Sequence, residues 1–409
     1  MSDCSITDPV RTALIGAGGF GASHLARLSG HPCDRFCRLV AVADPMFAEG
    51  RGTALATSLE MGGCRLYPDL HTLLEREPEL EAVVISTPIH LHFEMAAACM
   101  QRGLAVLLEK PPVPLLAQLE DLLSRPGHRR VAVSFQRIVS EPVQQMKRWI
   151  LEGRLGALRD LRTSACWPRL DTYYARAPWA GRMSLGGKPV FDGPATNALS
   201  HVIHHLMYLG GETQEDFAKP VAKTVEGEFY RVRPNLESYD LVALRGRLES
   251  GPRYFAALTH ATSVKTPFIV EARGDRGWAR LENNGWRLRS SWGADISYQD
   301  DAVNAYEVVY ENLARLARAP GTRPATSLED TRGYLMATTL GLEASGTIRP
   351  VPPEYVHRFT LNTTPIPGHG YCLPDIVRLI DCAYEHQHLF SELSGFGRRE
   401  PGLAFPARV

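Results

Sequence analysis

Along the first third of the chain, short apolar runs alternate with longer amphipathic stretches. The runs are Thr12–Ile15, Leu39–Ala43, Ala82–Ser86, Ala105–Leu108 and Val131–Ser134. They are rich in Val, Ile, Leu and Ala and lack a clean period of two, the pattern of parallel strands buried on both faces. The stretches between them predict helices near Gly21–Leu28, Phe47–Met61, His92–Arg102 and Leu115–Ser124. Strand and helix in alternation predict a doubly wound parallel sheet. After about Gln136 the pattern changes. A helix is expected over Pro142–Leu151, and Leu241–Leu248, Tyr254–His260, Phe268–Ala272 and Trp278–Leu281 read as strands parted by Gly- and Pro-bearing turns. Strands that follow one another without helices predict a mostly antiparallel sheet. Helices are expected near Val303–Arg318 and Leu328–Ser345, and one more at Asp375–Leu393 within a Pro- and Gly-rich tail.

Length and composition sharpen this picture. A chain of 409 residues is too long for one ordinary core. The pattern divides it into a doubly wound first domain (1–135), a second α/β domain (136–348) and a C-terminal extension (349–409). Hydrophobic residues at 44% and charged residues at 22% are the balance of a globular protein. Lys+Arg and Asp+Glu both number 45, so no global field favours nucleic acid or an anionic membrane. No apolar run reaches the length of a membrane helix. Met1–Pro9 carries Asp3 and Asp8 and no apolar core of a signal peptide, so a cytoplasmic protein is expected. The eight cysteines are scattered without C-x-x-C spacing and read as reduced thiols serving as small hydrophobes.

Candidate chemistry begins at Gly16-Ala17-Gly18-Gly19-Phe20-Gly21, a G-x-G-x-x-G after one predicted strand and before a helix. Gly16 suits the tight turn, Gly18 a close backbone approach to a pyrophosphate, and Gly21 close packing of helix on sheet. The helix N-terminus offers free N–H groups to the phosphates. Asp44 ends the second predicted strand, where a carboxylate accepts from the adenine ribose hydroxyls and repels a 2′-phosphate. NAD is therefore expected over NADP, although Arg51 nearby leaves room for the phosphate. A plain structural turn is the other reading of both features.

Two further turns raise this from a fold to a family. Ser86-Thr87-Pro88-Ile89-His90-Leu91-His92 follows one central strand, and Glu109-Lys110-Pro111-Pro112 follows the next. With the glycine loop, they resemble the glucose–fructose oxidoreductase, inositol dehydrogenase and MocA family (Gfo/Idh/MocA), with its T-P-x-x-x-H and E-K-P turns. Tyr173-Tyr174, Trp179, Gly181, Gly186-Gly187 and Glu237-Ser238-Tyr239-Asp240 are similar to family patterns in the second half. The resemblance covers about residues 11–345 and is strongest over the first 135. It implies an α/β fold that joins an N-terminal Rossmann sheet to a C-terminal domain on a large open, mostly antiparallel sheet. Substrate is then bound between the domains, and the sheet often supports a homodimer or homotetramer. It also implies a Lys110 that binds nicotinamide ribose and substrate hydroxyl, and an unusual, often cis, bond to Pro111.

Oxidation of a secondary alcohol needs a base for the hydroxyl proton and a cation for the developing alkoxide. Lys110, at the carboxyl end of a parallel strand, suits the second role. His201 suits the first, since imidazole takes a proton near neutral pH. If Asn197–His205 is helical, Asn197, His201 and either His204 or His205 share a face. By the resemblance, Asn197 stands where the family has an Asp and His204 where it has a second Asp, a departure that bears on pH optimum and direction. Asp192 is the nearest replacement carboxylate, at a different spacing. A metal held by His201, His204 and His205, or a structural role for them, are the other readings; no metal is expected.

Ser86, Thr87, Pro88, His92 and Glu109 are expected to line the cofactor with Gly19 and Phe20. Gln136 stands at the domain crossing, where relatives contact cofactor or substrate. Tyr173, Tyr174, Trp179 and Arg182 are candidates for a sugar platform, or for ordinary packing. The expected activity is NAD-linked oxidation or reduction of a sugar, inositol or sugar acid. Glycoside cleavage through transient oxidation by tightly held NAD, and non-catalytic NAD sensing, are the alternatives.

Overall fold

Aliphatic runs without a polar face must be covered on both sides, and in the computed structural model they are. The structure describes residues 8–30, 32–283, 286–299, 302–319, 321–362 and 367–393. The chain forms two compact units: Met1–Val113 with Ala117–Ser140 and Asp301–Thr331, and Pro114–Leu116 with Glu141–Asp300 and Arg332–Val409.

The first unit holds β1 (Val10–Ile15), β2 (Cys37–Ala43), β3 (Arg65–Tyr67), β4 (Ala82–Ile85), β5 (Ala105–Leu108) and β6 (Val131–Val133). They make one parallel sheet in the order β3-β2-β1-β4-β5-β6. The strand order reverses between β1 and β4, and a ligand crevice opens at the carboxyl ends of strands at such a point. The helices Gly21–Leu28, His92–Gln101 and Leu116–Ser124 lie where the pattern predicts them. The helix expected over Phe47–Met61 is two, Pro45–Ala48 and Thr53–Met61, because Gly50 and Gly52 turn the chain at φ +67° and +68°. The pattern does not reveal β3, a short edge strand, or the helix Leu70–Arg76. Asp69 caps that helix, its side chain accepting from Thr72 N at 2.8 Å.

The helix Ala302–Arg318 also belongs to this unit, although the division at residue 135 assigns it to the second domain. Tyr306, Val309, Tyr310, Leu313 and Leu316, at helical spacing, join Val84 and Leu107 of the sheet in one core. A sheet wound on both faces needs a cover on each, and this one comes from a distant part of the sequence.

The second unit continues with β7 (Leu158–Cys166), β8 (Ser184–Leu185), β9 (Lys188–Pro189), β10 (Glu226–Arg231), β11 (Leu241–Arg247), β12 (Arg253–Thr259) and β13 (Ile269–Gly274). Then follow β14 (Trp278–Glu282), β15 (Arg287–Ser290), β16 (Asp295–Ser297), β17 (Ile348–Pro350), β18 (His357–Leu361) and β19 (Gly368–Cys372). Nine of them form a sheet ordered β16-β15-β14-β13-β7-β12-β11-β10-β17. It is antiparallel except at β7–β12 and β10–β17. β8 and β9 make a hairpin through Gly186-Gly187, both at positive φ.

Helices Ser200–Leu209 and Arg332–Ser345 pack on one face of this sheet, against β7 and β10 respectively. On the other, Leu241, Ala243, Phe255 and Ala257 meet Leu379, Ile380 and Ala383 of the tail helix Ile376–His386. Burying Leu379 and Ile380 stabilises the unit by roughly 1.5–3 kcal/mol each. The tail thus covers the middle of that face. Its helix is shorter than the expected Asp375–Leu393, since Gln387 adopts φ +53°. The described cysteines are all free thiols, and burial pushes Cys37 and Cys99 up to about 12. Among the described residues no helix is long and apolar enough to cross a membrane.

Lys147 ties the helix Ser200–Leu209 down at its C-terminus. Its side chain is fully buried, and Nζ donates to the carbonyls of Tyr208 and Gly211, both at 2.6 Å. Burial pulls its pKa from an ordinary 10.5 to about 7, against a small opposing pull from Asp216. The unfolded chain therefore binds more protons between those two values, and the lysine's contribution to stability is lost as pH falls through that window. Lys147→Met is expected to lower the melting temperature by leaving two carbonyls without a donor. The gap between wild type and variant should widen from pH 7 to pH 10, by on the order of 2 kcal/mol; melting curves across that range that stay parallel would contradict this.

Candidate functional site

Four strand ends of the first unit converge on its crevice. After β1 the chain turns at Gly16 (φ +86°), passes Gly19 (φ +54°) and enters the helix Gly21–Leu28. A side chain at Gly16 would come within 2.6 Å of Ser86 O, and one at Gly21 within 1.9 Å of Gly16 O. The fold itself therefore demands both glycines. Gly18 is different: a Cβ there would meet nothing within 4 Å. No contact among the described residues accounts for it, and a backbone left open beside a helix N-terminus is what a pyrophosphate needs. The loop fits the dinucleotide. Phe20, half exposed, packs edge-on to His24 with ring centroids 5.4 Å apart.

Asp44 follows β2, and its two carboxylate oxygens accept from Ala17 N at 2.8 Å and Met46 N at 2.9 Å. It thereby ties the glycine loop to the second strand and stands at its end as a fixed anion. Arg51, the residue that leaves room for a 2′-phosphate, is held by Glu49 at 2.6 Å.

Beyond β4 and β5, the Ser86–Pro88 and Lys110–Pro112 turns are stitched by His92. Its Nδ1 lies 2.8 Å from Pro111 O and its Nε2 2.9 Å from Thr87 O. Both nitrogens are thus committed to backbone and the ring is buried, so His92 frames the crevice and does not reach a ligand with a free nitrogen. The Lys110–Pro111 peptide bond is cis. Glu109 is buried, with Oε1 2.9 Å from His24 Nε2 and Oε2 accepting from Lys110 N at 3.2 Å. Burial pushes its carboxyl up, but the His24 contact and the Lys110 charge outweigh that and hold it below the usual range. His24 Nδ1 lies 2.7 Å from the hydroxyl of Tyr310. Glu109 is therefore a clamp on the backbone that presents Lys110, which is half buried at the strand end. His24 and Tyr310 are absent from the sequence reading: one lies in an unremarkable helix, the other nearly three hundred residues away. Gln136 starts a short 3-10 turn after β6 and is half buried.

The candidate base stands in the second unit. Pro194–Ala198 forms a π turn, and the α-helix begins only at Ser200. Asn197 thus precedes the helix that carries His201, and the even four-residue step of one continuous helix does not hold. The turn is fixed by Tyr239, whose hydroxyl accepts from Thr196 N at 3.1 Å. Asn197 Nδ2 donates to Asp192 Oδ1 at 2.8 Å, and Asp192 Oδ2 accepts from Gly181 N at 2.7 Å. The carboxylate missing from position 197 is present one residue shell behind it. His201 is half buried, whereas His204 and His205 are buried and pack on Phe217 and Phe268 at 4.9 and 6.4 Å. Those two histidines serve the core, contrary to the substrate-binding expectation. Among the described residues, no group of His, Cys, Asp and Glu is placed to hold a metal ion.

The aromatic platform also differs from expectation. Tyr173 and Tyr174 meet edge to face at 5.2 Å, and guanidinium groups occupy their rings: Arg176 lies 3.6 Å from Tyr173 and Arg233 4.4 Å from Tyr174. Arg176 also reaches Trp179 at 4.7 Å, while Arg182 is exposed and faces Glu237 at 3.7 Å. The tail hairpin β18–β19 adjoins them, with Arg233 4.9 Å from the Tyr371 ring.

Residues 10–135 match the model of an oxidoreductase family with an NAD-binding Rossmann fold, Gfo/Idh/MocA. An inositol 2-dehydrogenase of Streptomyces avermitilis is 35% identical over 147 residues, 35% of this chain and 41% of that protein. The alignment thus spans about two-fifths of that relative's length. The scyllo-inositol 2-dehydrogenase (NADP(+)) IolW of Bacillus subtilis is 25% identical over 301 residues, 65% of this chain and 78% of its own. The WlbA dehydrogenase of Bordetella pertussis, solved with NADH and UDP-GlcNAcA, shares the fold with a TM-score of 0.67 at 20% identity, covering 84% of this chain and 99% of that one. An inositol dehydrogenase homolog of Azotobacter vinelandii, solved with NAD+, shares it with a TM-score of 0.66 at 18% identity, covering 84% and 96%. Residues 10–135 thus form an NAD-binding Rossmann domain of the Gfo/Idh/MocA oxidoreductase family.

Proposed function

We propose that this chain is an NAD-dependent dehydrogenase or reductase of a secondary alcohol on a sugar, inositol or sugar acid. The observation that carries the reading is the set of strand ends around one crevice: a Gly18 whose Cβ position is open, an anion at Asp44, and a clamped Lys110. Gly16, Gly18, Gly19 and the N-terminus of Gly21–Leu28 would hold the pyrophosphate, and Asp44 the adenine ribose. Ser86, Thr87 and Pro88 line the same edge. NAD is favoured over NADP because Asp44 repels a 2′-phosphate and Arg51 is already paired with Glu49. When bound, the dinucleotide accepts or returns a hydride; the chain's own residues handle the proton and the charge.

Lys110 supplies a cation whose field stabilises the oxygen as its proton leaves. His201 takes that proton on oxidation and returns it on reduction. Asn197, anchored by Asp192, orients the approach to His201. Lys110→Ala should retain NAD binding and lower turnover by about two to four powers of ten. Steady-state rates with inositols, sugars and sugar acids, read as absorbance of reduced cofactor, measure this; unimpaired turnover removes Lys110 from the chemistry.

The glycine loop makes its own prediction. Gly18→Ala should keep the wild-type melting temperature within about 1 °C, since a surface substitution away from contacts is near neutral. Its NAD affinity should nevertheless fall at least tenfold. Gly21→Ala should lose both, because its Cβ must displace Gly16 O. Thermal melts with and without NAD separate the two variants, and a Gly18→Ala protein that binds NAD normally would overturn the cradle.

A further inference from the structure

One end of the nine-stranded sheet gathers polar atoms that the protein leaves unsatisfied. Trp167 and His260 directly follow β7 and β12, which run parallel, so both leave the sheet at the same end. His260 is 3% exposed, and its Nδ1 donates to Trp167 O at 2.9 Å, since a carbonyl can only accept. Its other nitrogen, Nε2, is buried without a hydrogen-bond partner among the described residues. Trp167 Nε1 and Arg169 Nε share that condition. A lone buried orphan is tolerable, but three on neighbouring residues call for a common partner.

The charges around them point the same way. Arg169 lies 4.4 Å from the Tyr173 ring and 5.7 Å from that of Trp167, and makes no ion pair among the described residues. Arg176 lies 3.6 Å over Tyr173, and its nearest carboxylate is Asp192 at 3.9 Å. That carboxylate already accepts from Gly181 N and Asn197 Nδ2. Arg233 shows the contrast, being paired directly with Asp171 at 2.6 Å. Burial and the two guanidiniums hold His260 far below its ordinary value, at about 3, so Nε2 carries a lone pair and not a proton. The cluster thus offers N–H donors, a charge at Arg169 without an ion pair among the described residues, and beside them one acceptor. Asp192 links it to Asn197, four residues before His201.

We infer that Trp167, Arg169, Arg176 and His260 form a subsite for the carboxylate of an acidic sugar together with the ring hydroxyl nearest to it. This rests on the dehydrogenase reading and names its substrate class: a sugar acid such as a uronate. The carboxylate oxygens accept from Trp167 Nε1, Arg169 Nε and the Arg176 guanidinium, and the nearest ring hydroxyl donates to His260 Nε2. A neutral sugar leaves the guanidiniums without an anion. A 6-phosphate sets its anion two bonds farther from the ring than a carboxylate does.

The test uses matched pairs on the NAD-loaded protein: D-glucuronate with D-glucose, D-galacturonate with D-galactose, and D-glucose 6-phosphate as the rival anion. The better uronate should exceed its neutral partner in kcat/KM by about a hundredfold, a moderate ratio for a site built to hydrogen-bond the group that is missing. Arg169→Gln and Arg176→Gln should each cut that preference at least tenfold. Neutral sugars or glucose 6-phosphate that match the uronates would overturn the carboxylate subsite and leave the dehydrogenase reading standing. If no sugar on the panel reduces NAD+, the dehydrogenase reading fails there and calorimetric titration decides the subsite alone. A glucuronate Kd at least tenfold tighter than that of glucose, with the difference abolished by Arg169→Gln, sustains it; equal affinities, or no binding of either, refute it.

Discussion

Gly21 has room for a hydrogen and nothing larger, because its Cα lies against the carbonyl of Gly16. That contact lets the first helix start directly under the end of β1, so its free N–H groups face the crevice and not the sheet. The other functional groups of the first unit are placed by reference to this corner. Asp44 reaches it through Ala17 N, and Ser86 lies under Gly16. Glu109 reaches the same helix through His24. A displaced Gly21 would disturb the phosphate cradle, the ribose anion and the clamp on Lys110 together, although they come from four separate strands.

Much of this was legible in the sequence because it is written locally. A strand, a glycine turn and a helix fall within a dozen residues, and each strand end carries its functional residue within a few positions. What was not legible depends on long-range packing. The cover for one face of the Rossmann sheet returns as Ala302–Arg318, whose Tyr310 reaches Glu109 by way of His24. An amphipathic helix pattern states that a face will be buried and says nothing about which sheet will bury it. The split of Phe47–Met61 was readable in principle from Gly50 and Gly52.

The Asn197 departure shows how a family pattern can be altered while its electrostatics are kept. Measured along one continuous helix, Asp192 stands too far back to replace a carboxylate at position 197. The π turn changes the measure, and the amide of Asn197 rests on Asp192. An Asn in that place presents an oriented dipole with the anion behind it, so negative potential reaches the turn without a proton-binding group at its tip. His204 and His205 were misread for a simpler reason. Three histidines in a helix suggest a functional face, but two of them point among Phe217 and Phe268, where imidazole serves as a flat, moderately polar ring.

The tail and the arginines together explain why specificity was the hardest property to read. The helix Ile376–His386 occupies the middle of one sheet face, and the β18–β19 hairpin brings Tyr371 to Arg233. A homo-oligomer built on that face would have to meet the tail and not bare strands. The aromatic residues expected to stack on a sugar instead hold guanidiniums in place: Tyr173 and Trp179 support Arg176, and Tyr173 with Trp167 supports Arg169. A rigid aromatic seat lowers the entropy an arginine loses on meeting an anion, because the side chain is already ordered. Aromatics of this kind contribute to binding without touching the ligand, and sequence shows only that they are present. Their partners become visible only when the sheet brings Trp167, Arg169 and His260 to one end.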